Sequence, residues 1–293
     1  KKKEELKQFQ EFYNVESHKI LKPVSTRWLS LGKTLDRLLQ QWPALKSYFS
    51  SQSQRMKESL SSPQCYLYCF FLQSVIPVFD KFNLLMQSEV PVVHAIHPAI
   101  LNLVRDLLGR FLKSVIVREA RDILSVQYEN PENQKADQDL YIRFYTKQYI
   151  HLEEMQDDTE CDQYLSQFYK DVCNCYCKIL PALDETIKLL TIIDCKNLDS
   201  HTSDDLVSQL EMFLCLKKEL DMIKLEEFIS YQVLDIDALV EGSKEDGSQI
   251  RMDTFWHKIG QTFVLLPTVI KQLLVLPHSN ADCERVFSIT RKN

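Results

Sequence analysis

The sequence predicts a mainly α-helical protein. Three observations carry that expectation. Apolar residues recur at three- and four-residue intervals over most of the chain. Only 5 of the 293 residues are glycine, too few for the many tight hairpins of an all-β fold. No strand–helix–strand alternation is readable, and no repeat of fixed period occurs.

The elements follow in order. Residues 1–13 carry Leu6, Phe9, Phe12 and Tyr13 at helical spacing among charges and read as a helix. Residues 19–26 are short and β-compatible, and Pro23 limits them to a strand at most. From Leu29 onward nearly everything is helical. Leu31, Leu35, Leu38, Leu39 and Trp42 share a face, and Pro43 starts a new turn. Residues 65–86 form a second apolar helix, with a kink expected near Pro77. The clearest helix begins at Pro98, a residue suited to a first turn. Ile100, Leu101, Val104, Leu107, Leu108, Phe111, Leu112 and Val115 form its apolar side, with Arg105, Asp106, Arg110 and Lys113 opposite. Residues 127–139, 153–162 and 240–248 are polar and read as exposed loops. Helices are expected around residues 164–180, 181–193 and 203–224. Residues 255–274 are apolar, with Trp256, Phe263, Leu265 and Leu266.

Bulk properties narrow the function classes. Hydrophobic content of 45% with 26% charged residues is enough to bury a real core. The net charge of -6 excludes a chain that wraps DNA by charge alone, so any nucleic-acid contact must come from local patches or another segment. Nine cysteines stand at irregular spacings. An odd number without a secretory signal reads as reduced, mostly buried thiols of an intracellular protein. The apolar run 66–79 is too short for a membrane span, and Gln73 and Pro77 interrupt it. Lys1 and Asn293 both fall inside charged helical patterns, so a fragment of a longer protein is expected.

Several residues carry possible chemistry. Glu284 lies about a turn inside a short helix that Ser279 or Asn280 would cap. A carboxylate there could hold a divalent metal beside a phosphodiester, or simply complement the helix dipole. Arg27 and Trp28 could offer a phosphate contact and a stacking platform for an unpaired base; alternatively, the tryptophan anchors a helix start in the core. Cys65 with Cys69, and Cys173 with Cys177 in the run Cys173-x-Cys175-x-Cys177, are pairs four apart that share a helix face, but no second knuckle completes a structural zinc site. His94 and His97 stand three apart with no neighbouring carboxylate. The run Lys1-Lys2-Lys3 reads as a solvated helix end, with a nuclear signal as the alternative. There is no phosphate-binding glycine loop, no Gly-x-Ser-x-Gly elbow and no His-Glu-x-x-His.

Three runs carry a resemblance. They are Thr26-Arg27-Trp28-Leu29-Ser30-Leu31, Gln41-Trp42-Pro43-Ala44-Leu45-Lys46-Ser47-Tyr48-Phe49, and Leu276-Pro277-His278-Ser279-Asn280-Ala281-Asp282-Cys283-Glu284-Arg285-Val286-Phe287-Ser288. In order and spacing the chain resembles the hAT superfamily of cut-and-paste DNA transposases, most closely their vertebrate, often domesticated, BED-finger-linked relatives. The resemblance implies a ribonuclease-H-like α/β core split by a large all-α insertion. Residues 1–28 would end the first part of the core, residues 29–254 would be the insertion, and residues 255–293 would return to the core through a dimerisation-type region. It makes Glu284 the third catalytic carboxylate, and sets Trp28, with Arg27 beside it, on a flipped base. It assigns dimerisation to Phe255, Trp256, Leu276, Val286 and Phe287.

The family's first two aspartates and its zinc finger have no counterpart in this chain, so the resemblance implies a catalytically inert piece. Its expected role is a DNA-associated, self-associating nuclear scaffold, without a membrane or a small-molecule substrate. An intact parent would use Mg²⁺ or Mn²⁺ and bind DNA. The alternative is the C-terminal half of an active Asp-Asp-Glu transposase.

Overall fold

A computed structural model describes residues 2–17, 19, 29–136, 139, 167, 171, 185–198, 202, 225–245 and 249–277. Apart from single residues, the strand expected at 19–26, the loop at 153–162 and the helices at 164–180 and 203–224 lie outside them. The described residues are mainly helical, as the periodicity predicts. They belong to two compact units, one of Lys1–Asn83 with Leu103–Cys175, the other of Leu84–Asn102 with Tyr176–Asn293.

The first unit opens with α1 (Lys2–Phe12), α2 (Leu29–Gln40), α3 (Trp42–Phe49) and α4 (Gln54–Ser61). α1 packs on α3, and α3 on α4. Leu6, Leu35, Leu39, Trp42, Leu45, Tyr48, Leu60 and Ile76 form the core. Pro43 sits in the first turn of α3, where its missing N–H costs no helical bond. Leu31 departs from expectation and is 43% exposed. Residues four apart drift about 40° around a helix at each step, so the stripe enters the core only from Leu35. Inside the α1–α3 layer the Gln10 amide donates to Gln41 Oε1 at 2.9 Å, with both residues buried.

α5 (Pro63–Met86) is longer than its most apolar stretch suggests. By length and composition it reaches what a membrane crossing needs, which corrects the reading of run 66–79 as too short. It buries Leu67, Phe71, Val75 and Ile76 in protein, while Gln73 Nε2 donates to Asp36 Oδ1 of α2 at 2.5 Å. Pro77 lies inside the helix and removes the usual donor to the Gln73 carbonyl. Gly32 sets the approach of α2 to α5: a Cβ there would stand 3.0 Å from Asp80 Oδ2 and 3.2 Å from Ile76 Cγ2.

α6 spans Val93–Phe111, its residues up to Asn102 belonging to the second unit. It starts before Pro98, which therefore lies in the interior rather than the first turn and deprives the His94 carbonyl of its helical donor. The predicted stripe holds from Ile100 to Leu112, but Val115 is 42% exposed and falls in α7 (Ser114–Glu119). The helix stops because the polar loop takes over its end. Lys135 N donates to the Phe111 carbonyl at 2.8 Å, Lys135 Nζ to Gly109 O at 2.7 Å, and Leu112 bridges Gln134. That loop is ordered by its own polar groups. Asn130 Oδ1 caps the 3-10 turn Pro131–Asn133 by accepting from Glu132 N at 3.0 Å.

The second unit contains α8 (Glu185–Leu189), a 3-10 turn (Leu190–Ile193), α9 (Cys195–Leu198), α10 (Leu225–Gln232) and α11 (Asp237–Glu241). The polar segment expected as a loop at 240–248 holds a minimal hairpin, β1 (Lys244–Glu245) against β2 (Gln249–Ile250), antiparallel with Lys244 opposite Ile250. The apolar stretch 255–274 is two helices, α12 (Met252–Ile259) and α13 (Leu265–Leu274). The break begins at Gly260, where the chain turns so that both apolar faces reach one core.

Replacing Gln10 by leucine removes its bonds to Gln41 Oε1 and from Ser17 Oγ, and we expect a loss of about 1–3 kcal/mol. The double replacement Gln10→Leu with Gln41→Leu removes both sides of the shared bond and should lose less than the sum of the two single replacements. Urea unfolding midpoints of the parent, Gln10→Leu, Gln41→Leu and the double variant check this; additive losses in the double variant would refute it.

Candidate functional site

Of the residues the sequence singles out, Arg27, Trp28, Glu284, Val286 and Phe287 lie outside the described residues, as do Cys173, Cys175 and Cys177. Phe255, Trp256, Leu276, the His94–His97 pair and the Cys65–Cys69 pair lie within them.

Phe255 and Trp256 are the centre of the second unit. Both are fully buried. Trp256 stacks on Tyr231 with ring centroids 5.5 Å apart and meets Phe255 edge-on at 5.4 Å. Its indole N–H donates to the Ile193 carbonyl at 2.8 Å, so the one polar group of a large apolar side chain is satisfied. Tyr231 likewise donates to the Cys195 carbonyl at 3.4 Å. These rings offer no surface to a second copy of the chain. A dimerisation role for Phe255 and Trp256 would therefore act through the fold they hold, not through direct contact. Leu276, just past α13, is 37% exposed, and Val275 beside it is 80% exposed.

The entry to α13 has no capping side chain of its own. Glu227 of α10 supplies it from far along the chain. Its carboxylate accepts from Val264 N at 2.7 Å, Leu265 N at 2.9 Å and Leu266 N at 2.7 Å. Three unpaired helix donors and the positive end of the dipole are thereby met by one negative charge. Sequence reading missed Glu227. The available signal was the run Val264-Leu265-Leu266-Pro267, a helix start without Ser, Thr, Asp or Asn, which needs an acceptor from elsewhere.

His94 and His97 are not equivalent. His94 is buried, and its Nδ1 has no hydrogen-bond partner. Burial pushes its pKa down, with Asp194 partly opposing. Cys65 and Cys69 are half-buried, and Cys195 is fully buried. Burial, aided by the neighbouring Cys65, pushes the Cys69 thiol up to about 11; burial and Asp194 push Cys195 up to about 12. On α5, burial and then Asp36 raise the Asp80 carboxyl. Among the described residues no group of three or more His, Cys, Asp or Glu stands together to hold a metal ion. A buried aromatic cluster and one carboxylate together fix where α13 starts and where Leu276 emerges.

Two outcomes follow. Glu227→Ala leaves three donors without their acceptor and should cost about 1.5–3 kcal/mol, with Glu227→Gln losing less; chemical denaturation followed by tryptophan fluorescence reads both. His94 has a folded-state pKa below its unfolded value near ~6.5, so the unfolded chain binds the extra proton first. Its contribution is full above about pH 6.5 and is lost as pH falls from there through the folded pKa. His94→Gln should flatten the decline in stability between about pH 7 and 5; an unchanged decline would assign it to other groups.

Comparison with known proteins found no matching family model, no matching curated protein and no matching solved structure.

Proposed function

We propose that the chain is part of a protein derived from a hAT transposase and serves as a non-catalytic, self-associating scaffold that accompanies DNA-binding parts in the nucleus. One observation carries the reading. The runs at 26–31, 41–49 and 276–288 follow the family's order, separated by a long segment whose described residues are mainly helical. On this reading residues 29–254 are the insertion, and residues 1–28 and 255–293 are remnants of a ribonuclease-H-like core.

Glu284 is then the third carboxylate of an ancestral metal site, and Arg27 and Trp28 its base-stacking partners. Cleavage assisted by Mg²⁺ or Mn²⁺ needs several carboxylates around the ion, and the resemblance assigns only Glu284 within this chain. Self-association draws support from Val264, Val275 and Leu276, apolar side chains that stay exposed at the two ends of α13. The specificity of the run from Leu276 to Ser288 also supports the enzyme reading, in which Glu284 completes an Asp-Asp-Glu triad in an active parent.

Incubated with supercoiled plasmid and Mg²⁺, the purified chain should produce no nicks, and light scattering should show a dimer or larger species. A strict monomer would count against the scaffold. Nicking that Glu284→Gln abolishes would replace it with the enzyme.

A further inference from the structure

We propose that Lys258 and Gly242 form a charge-operated latch on the β1–β2 hairpin, and that acylation of the Lys258 amine holds this latch open.

The seat is built at the end of α11. Gly242 closes that helix, its N–H donating to the Ala238 carbonyl at 3.0 Å. Its own carbonyl accepts from Lys258 Nζ, which reaches it from the last turn of α12. Backbone conformation does not require glycine there: φ is -69° and ψ is -6°, angles open to any L-residue. Close approach does. A Cβ on Gly242 would stand 2.9 Å from Lys258 Nζ and displace it. The end of α12 repeats the arrangement. Gly260 has a φ of -64°, and a Cβ on it would stand 2.9 Å from Lys271 Nζ. Each glycine keeps a helix end clear for an ammonium group, which the terminal carbonyls favour.

The latch holds a weak element. Each strand of the hairpin has two residues, too few to stand alone. Beside it the Ser243 carbonyl accepts from Arg251 N at 2.9 Å, and Leu239, Val240 and Ile250 pack partly buried against the core. Other cations of this corner meet carboxylates, Lys244 with Glu241 and Arg251 with Asp253. Lys258 meets a carbonyl, so its hold depends on its own charge and on the cleared seat.

Acylation removes both supports. The unprotonated amine attacks the carbonyl of an acyl thioester, a C–N bond forms, the C–S bond breaks, and the thiol leaves with the proton. The resulting amide has no charge, and its acyl group is bulkier than the Cβ that would already displace the amine. Lys258 is half-buried, so the amine reacts while the latch is open, and the product cannot close it.

Hydrogen exchange of the whole 293-residue chain tests this. Lys258→Met keeps the stem without the charge, and Gly242→Ala fills the seat with the lysine intact. Each should speed exchange of the Arg251 amide by at least about tenfold, the ratio lost with a charge-assisted bond. The amides of Val269 and Ile270, buried in α13, should keep the parent rate. Unchanged Arg251 exchange in either variant overturns the latch. So does equal acceleration at Val269 and Ile270, which would make Lys258 a support of the whole unit. A second measurement uses the parent chain, acetylated with sulfosuccinimidyl acetate and read by peptide mass spectrometry. Lys258 should react at least about tenfold more slowly than the exposed Lys46, and Gly242→Ala should remove most of that delay. Equal rates at the two lysines in the parent chain would also overturn the latch.

Discussion

An α-helix leaves four N–H groups unpaired at its start and four carbonyls at its end. Many helices close their ends with glycine in a left-handed turn. This chain has 5 glycines, and among the described residues groups from other segments meet several helix ends. Lys135 serves the carbonyls of α6 by both its backbone and its ammonium group. Lys258 of α12 reaches the Gly242 carbonyl just past α11. Glu227 serves three N–H groups of α13. Each contact ties an element boundary to a residue distant in sequence. The helices are therefore bounded by the tertiary structure and not only by their own sequences.

The same constraint governs the second unit. Trp256 can be fully buried only because its indole N–H meets the Ile193 carbonyl, in a 3-10 turn far from it in sequence. Tyr231 completes the stack and spends its own hydroxyl on Cys195. Burial of aromatic area and satisfaction of the two polar tips occur together. Residues that the sequence suggests for dimerisation thus become the interior that aligns α12 with α13. Val264, Val275 and Leu276 stay exposed at the two ends of α13.

Electrostatics in the described residues follow burial more than ion pairing. The half-buried Asp80 is raised by burial and its neighbour Asp36, His94 is lowered by burial, and Cys69 and Cys195 are raised by it. Asp253 is the counterexample, held below the usual carboxylate range chiefly by its bond to Arg251 at 2.6 Å. Acid should therefore weaken the second unit at His94, while Asp80, raised in the fold, opposes that trend in the first.

The sequence by itself determined the helical class, the stripes of α2 and α6, and the placing of Pro43 in a first turn. These are local properties: periodicity and proline geometry act within a few residues. Only the tertiary structure decided that α6 starts before Pro98, that residues 255–274 break into two helices, and that Phe255 and Trp256 face inward. It also decided that Leu31 and Val115 stay exposed. A stripe shows that a face is apolar but not which neighbour covers it or where cover stops, because the partners that settle both, Glu227 and Lys135 among them, come from distant parts of the chain.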